Sequence, residues 1–85
     1  MKRVLLVDDD PFVLRFYQER LSPQEMQVET AADGLAAINL LRVSKPDVVV
    51  LDLMMPKLSG VDVLKFIRSQ AGLKTLPVVV LPLAP

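Results

Sequence analysis

Val48-Val49-Val50-Leu51-Asp52-Leu53 decides the fold: an unbroken apolar run that ends on a carboxylate. A strand with one face in water alternates apolar and polar residues, whereas a strand covered on both faces does not. Two-sided burial is the mark of a parallel sheet sandwiched by helices. Val4-Leu5-Leu6-Val7 has the same character and runs into Asp8, Asp9 and Asp10. Two buried strands that each end in acid predict an open α/β sheet with carboxylates at the C-terminal ends of its strands, where such sheets bind ligands.

The segments between these strands support that reading. Asp10-Pro11 starts a helix, with Asp10 as N-cap and Pro11 at the first helical position. From Phe12 to Leu21 the residues Val13, Phe16, Tyr17, Arg20 and Leu21 recur at helical spacing and predict a wide apolar face; Ser22-Pro23 ends the helix. Met26 to Ala31 alternates Met26, Val28 and Thr30 against Gln27 and Glu29, as an edge strand does. Asp33-Gly34 is a turn or cap pair, and Leu35 to Val43 is a good helix former that Pro46 closes.

After the strand at Val48 to Asp52, Met54-Met55-Pro56-Lys57-Leu58 reads as a loop. Ser59 and Asp62 form a capping box, and Val61, Leu64 and Ile67, flanked by Val63 and Phe66, form the stripe of a third helix. Ala71-Gly72 stops it. Leu76 to Leu81 is a fourth strand with Pro77 near its start, and Pro82-Leu83-Ala84-Pro85 follows. The order β-α-β-α-β-α-β has connections long enough for right-handed crossovers.

Composition excludes many chemistries. The 85 residues make one domain at most, at the small end of what buries a core of its own. With no cysteine or histidine there is no disulfide scaffold, thiolate cluster, ordinary zinc site or histidine base. Ten basic and ten acidic residues cancel, so no overall field draws nucleic acid or an anionic membrane. No stretch approaches the ~18 apolar residues of a membrane span, and the expected location, by exclusion, is the cytoplasm.

Chemistry is therefore left chiefly to the carboxylates. If the first and third strands are neighbours, Asp8, Asp9 and Asp52 meet at one mouth. Like charges so placed repel, and a divalent cation, a shared proton or local solvent must relieve them. All-oxygen donors favour Mg²⁺ or Mn²⁺ over zinc. Asp10 is explained by capping ahead of Pro11, and Asp33 and Asp47 read as loop or cap residues.

The segments Val4-Leu5-Leu6-Val7-Asp8-Asp9-Asp10-Pro11, Asp52-Leu53-Met54-Met55-Pro56 and Ser59-Gly60, with the strand Pro77-Val78-Val79-Val80-Leu81, resemble the receiver domain of bacterial two-component response regulators (CheY-like). The likeness covers essentially the whole chain. It implies a flavodoxin-like three-layer sandwich with a parallel sheet, here incomplete: four strands in the order 2-1-3-4 and three helices, a single partial receiver domain over residues 1–85. It implies that Asp52 is the phosphoacceptor, attacking a phosphorylated histidine of a kinase or phosphotransfer protein and becoming an aspartyl phosphate. Asp8 and Asp9 match the acidic pair that holds Mg²⁺ with Asp52, and Met54 matches the position whose backbone carbonyl completes the metal shell. Lys57 and Gly60 match the loop after the acceptor.

Two departures from the pattern stand out. Pro82 occupies the position where the family has a threonine or serine that reads the phosphoryl group, and the chain ends before the fifth strand with its lysine. The resemblance thus implies phosphorylation with an impaired output switch. The fourth strand is left as an apolar edge without a protecting charge, open to self-association. Two other functions fit parts of the pattern. One is a degenerate receiver-like module that binds a protein partner and does not signal through phosphate. The other is a haloacid-dehalogenase-like phosphatase fragment using Asp8 and Asp10 as nucleophile and acid; the aspartate that carries phosphate discriminates it. No nucleic-acid or membrane partner is expected of this domain.

Overall fold

Each of the four apolar runs forms a strand of one sheet. The structure, a computed structural model, describes residues 2–21, 25–55 and 58–81. Its elements are β1 (Lys2–Val7), α1 (Pro11–Leu21), β2 (Met26–Ala31), α2 (Gly34–Val43), β3 (Val48–Asp52), α3 (Gly60–Ser69) and β4 (Val78–Leu81), with a 3₁₀ turn at Ala71–Leu73. All pairings are parallel and the order is β2-β1-β3-β4, as the family resemblance implies. The expectations placed on Ser22-Pro23, Pro56, Lys57 and Pro82 lie outside the described residues.

The register positions the site. Val7 lies opposite Leu51 on one side and Ala31 on the other, so the chain leaves β1 and β3 at the same level. Asp8 and Asp52 therefore emerge side by side at the C-terminal edge. At the opposite edge Asp47 is a clasp: its carboxylate accepts from the Arg3 backbone N–H at 2.7 Å, and its own N–H donates to the Arg3 carbonyl at 2.8 Å. The Arg3 guanidinium donates to Glu29 at 2.7 Å and to the Ser44 hydroxyl. This half-exposed arrangement ties the start of β1 to the entry of β3, to the middle of β2 and to the C-cap of α2.

The two faces of the sheet are unequally covered. Leu5, Val7, Val49 and Leu51 point to α2 and α3 and pack with Ala37, Leu41, Met55, Val63, Ile67, Leu73 and Leu76 in the main core. On the opposite face α1 lies over β1 and β2, and none of its described residues is fully buried. The wide apolar face expected of α1 is thus only half used: Val13, Tyr17 and Leu21 are partly buried and Phe16 is 49% exposed, while Phe12 beside them is 82% exposed. The reason is geometric, because the neighbouring strands β3 and β4 have no described element above them on this side. Val79 of β4 is accordingly 44% exposed.

Two further differences have local causes. The buried line of α3 runs through Gly60, Val63 and Ile67, not Val61, Leu64 and Ile67, and Val61 is exposed. Close packing of Gly60 on the Asp52–Leu53 backbone turns the helix to this face. β4 begins at Val78 and not at Leu76. Pro77 has no N–H for a ladder, and the Leu76 carbonyl is taken by the Arg68 guanidinium at 2.8 Å. The capping box forms as expected, the Asp62 carboxylate accepting from the Ser59 N–H at 3.1 Å.

Candidate functional site

Three carboxylates meet where β1 and β3 end. Asp8 and Asp52 are nearly buried, at 6% and 9% exposure, while Asp9 is exposed. One oxygen from each lies within 4.8 Å of the others. The backbone holds them: the Asp8 N–H donates to the Ala31 carbonyl of β2 at 3.1 Å, and the Asp8 carboxylate accepts from the Asp10 N–H at 2.9 Å. Asp52 repeats the motif, its Oδ1 accepting from the Met54 N–H at 2.9 Å. Each acid is thus fixed by the amide two residues on, with one of its oxygens within reach of the other acids.

The neighbouring acids have structural duties. Asp10 accepts from the Phe12 N–H at 2.9 Å at the start of α1, and Asp33 accepts from the Ala36 N–H at 2.8 Å as the N-cap of α2. Both match the capping roles read from sequence. Met54 and Met55, adjacent in sequence, separate in space. Met54 is exposed beside the carboxylates, while Met55 is buried in the main core and anchors the loop after β3. Two adjacent methionines carry no local signal that tells Met55 from Met54, so the core role of Met55 is not legible in the sequence. Nor is the groove in which Phe12, Phe16 and Tyr17 of α1 line the same space as Asp8, Asp52 and Leu81, about 850 Å³ in volume. Three hard oxygen donors at this spacing suit Mg²⁺ or Mn²⁺ better than zinc.

Burial pushes the Asp8 carboxyl above its ordinary value. The Asp10 N–H pulls the other way, and the nearby carboxylates of Asp52, Asp9 and Asp10 add to the rise. Between the ordinary and the raised value the folded chain holds a proton that the unfolded chain has lost, so stability falls as pH rises through that window. At neutral pH without metal the full cost remains. Asp8→Asn retains an oxygen for the Asp10 N–H and removes the charge. The metal-free variant is expected to melt above the unsubstituted protein at neutral pH, with the gap closing on acidification into the carboxylate range. A gap independent of pH would show that Asp8 does not carry this strain.

Residues 4–84 match the family described as the response regulator receiver domain. Among curated relatives, the response regulator MprA of Mycobacterium sp. (strain KMS) is 43% identical over 79 residues, which are 93% of this chain and 34% of the relative. The transcriptional regulatory protein KdpE of Mycobacterium tuberculosis (strain CDC 1551 / Oshkosh) is 43% identical over 81 residues, 95% of this chain and 34% of the relative. The chain thus spans about a third of the length of these relatives. Among solved structures, the phosphorylated cyanobacterial phytochrome response regulator RcpA superposes with a TM-score of 0.86 at 39% identity, covering 93% of this chain and 63% of that one. The N-terminal domain of a response regulator receiver protein from Methanoculleus marisnigri JR1 gives 0.90 at 28% identity, covering 100% and 72%. With the parallel 2-1-3-4 sheet and the acidic mouth at the ends of β1 and β3, this match over residues 4–84 establishes that the chain belongs to the response regulator receiver domain family.

Proposed function

We propose that this chain takes a phosphoryl group onto Asp52 from a phosphohistidine of a histidine kinase or phosphotransfer protein. Receiver domains generally are phosphorylated by histidine kinases and bind Mg²⁺ at their acidic site. The observation that carries the reading here is the convergence of Asp8, Asp9 and Asp52 at one mouth, with Asp52 held by the Met54 N–H. An Asp52 carboxylate oxygen forms the new bond to phosphorus while the P–N bond to the donor imidazole breaks, and the imidazole nitrogen keeps the electron pair and takes a proton. Asp8, Asp9, Asp52 and the Met54 carbonyl would hold Mg²⁺, and its charge would offset that of the phosphoryl oxygens. Asp8 and Asp9 without a cation would repel the incoming group.

The test is incubation with acetyl phosphate and Mg²⁺ followed by mapping of the acid-stable, base-labile label. It is expected on Asp52, only with Mg²⁺. Label on Asp8, or turnover of simple phosphate esters, would replace this reading with the phosphatase one.

A second property rests on β4. Its outer edge carries no paired strand among the described residues, it contains no charge, and Val79 stands 44% exposed on the thinly covered face. The chain is neutral overall, so two copies do not repel at long range. The proposal is that a second copy pairs through this edge. Sedimentation is expected to show a dimer whose population grows with concentration, and Val79→Lys is expected to shift it to monomer. A protein that stays monomeric at about 100 μM, too weak for a specific interface, would rule the pairing out.

A further inference from the structure

Gly34 opens α2, far along the chain from Asp52, and the sequence reading gives it no part in the site. It is buried, and a Cβ added there would lie 3.0 Å from Leu58 Cβ and 3.1 Å from the Leu58 carbonyl carbon, and nearest of all to the Leu58 carbonyl oxygen. Gly60, which opens α3, makes the matching approach at the other end of the same loop. A Cβ on it would lie 2.5 Å from Leu53 Cα and 2.8 Å from the Asp52 carbonyl carbon. Neither glycine has a positive φ, so what each supplies is space and not a special backbone conformation. In both cases the nearest obstructing atom is a backbone carbonyl oxygen, which has no rotamer by which to move aside.

Leu58, just before α3, and the Asp52–Leu53 backbone, just after β3, are therefore each seated against the first residue of a helix, and both helix starts are fixed. The Asp33 carboxylate caps α2, and the reciprocal Ser59–Asp62 box caps α3. The turn that carries Gly34 also reaches the other half of the acidic mouth, because the Ala31 carbonyl accepts from the Asp8 N–H. One short segment, Ala31 to Gly34, thus touches the backbone that presents Asp8 and the loop that presents Met54.

We infer that Gly34 is a positioning residue for the phosphoacceptor loop, setting through Leu58 where the Met54 backbone and the Asp52 carboxylate sit. The inference rests on the site reading proposed above. Its mechanism is mechanical: α2 is seated on Leu58 with no side chain between them, so an added methyl must push either the loop or the helix start. Leu58 lies two residues before Gly60, and the seat of Gly60 on the Asp52 carbonyl and Leu53 Cα passes the displacement to the backbone that carries Asp52 and leads into Met54. Truncating the Leu58 side chain cannot relieve it, since the nearest obstacle is the carbonyl.

The experiment compares Gly34→Ala with Gly72→Ala, a control position where an added Cβ meets nothing within 4 Å. In metal-free protein the Met54 amide, bonded to Asp52 Oδ1, is expected to exchange with solvent at least about tenfold faster in Gly34→Ala, with Val49 and Leu51 amides unchanged. Mg²⁺ affinity is expected to fall about tenfold, the size of effect that supporting residues have on metal ligands. Gly72→Ala is expected to leave both at the unsubstituted values. A Gly34→Ala protein with the original Met54 exchange and Mg²⁺ affinity would overturn the inference. If that variant does not fold, the unsubstituted protein decides: Mg²⁺ is expected to shift the Gly34 and Leu58 amide resonances together with that of Met54 and not that of Gly72, and an unmoved Gly34 overturns the inference. Unsubstituted protein that binds no Mg²⁺ at all would instead sink the site reading, and Met54 exchange in metal-free Gly34→Ala would still judge the role of Gly34.

Discussion

Asp52→Asn is expected to bring phosphoryl labelling from acetyl phosphate to background, a loss of at least about a thousandfold, while leaving the fold intact. Asparagine preserves the outline of the side chain and offers the same Oδ1 to the Met54 N–H, which the aspartate engages at 2.9 Å. What disappears is the anionic oxygen that attacks phosphorus. The charge of a nearly buried group also goes, from a mouth in which three carboxylates lie within 4.8 Å of one another. Removing it relieves repulsion, so the metal-free variant is expected to be no less stable than the unsubstituted protein. Mass spectrometry of the labelled chain and a thermal melt read the two effects separately. Residual label on Asp8 in the variant would transfer the nucleophile to β1. Loss of folding would mean that the Asp52 charge is structural.

The second large effect concerns the unequal faces of the sheet. Ile67 is fully buried among Val63, Leu51 and their neighbours beneath α2 and α3. Ile67→Ala is expected to cost about 2–5 kcal/mol, since it deletes methyl and methylene groups from a close-packed core and leaves a cavity. A chain of this size holds only about 5–10 kcal/mol in total, so the melting temperature falls on the order of 10–40 °C. Phe12→Ala removes a larger side chain from α1 and is expected to cost under about 0.5 kcal/mol, because Phe12 is 82% exposed. Urea unfolding of both variants is the check. Equal costs would show that the α1 face is packed as tightly as the α2–α3 face, against the exposure of Phe12 and Val79.

Much of this was legible in the chain. The strand at Val4 announces itself because both of its faces are covered, and a covered strand needs no polar alternation; the strand at Val48 is just as apolar although, among the described residues, only its α2–α3 face is fully covered. Asp10-Pro11, Asp33 and the Ser59–Asp62 pair mark helix starts because side-chain capping is local chemistry, settled within a few residues. The stripe of α3 was less legible. Val61, Leu64 and Ile67 and the line through Gly60, Val63 and Ile67 are both helical spacings, and only the seat of Gly60 on the β3 exit selects the second. Leu76 and Pro77 look like strand, yet the Arg68 guanidinium takes the Leu76 carbonyl from the end of α3.

The acidic site divides in the same way. The sequence by itself determined which groups are available, Asp8, Asp9 and Asp52 without a histidine or cysteine among them, and that each acid follows a buried strand. It also determined the family pattern they match. Tertiary structure decided that β1 and β3 are neighbours with Val7 level with Leu51, which brings Asp8 to Asp52. It decided that Met55 and not Met54 anchors the loop, and that Gly34 rests on Leu58 across a gap in sequence that no local pattern spans. Caps and periodicity are short-range and written in consecutive residues. Register, helix rotation and backbone approach depend on how whole elements pack, and packing is fixed only once all of them are in place.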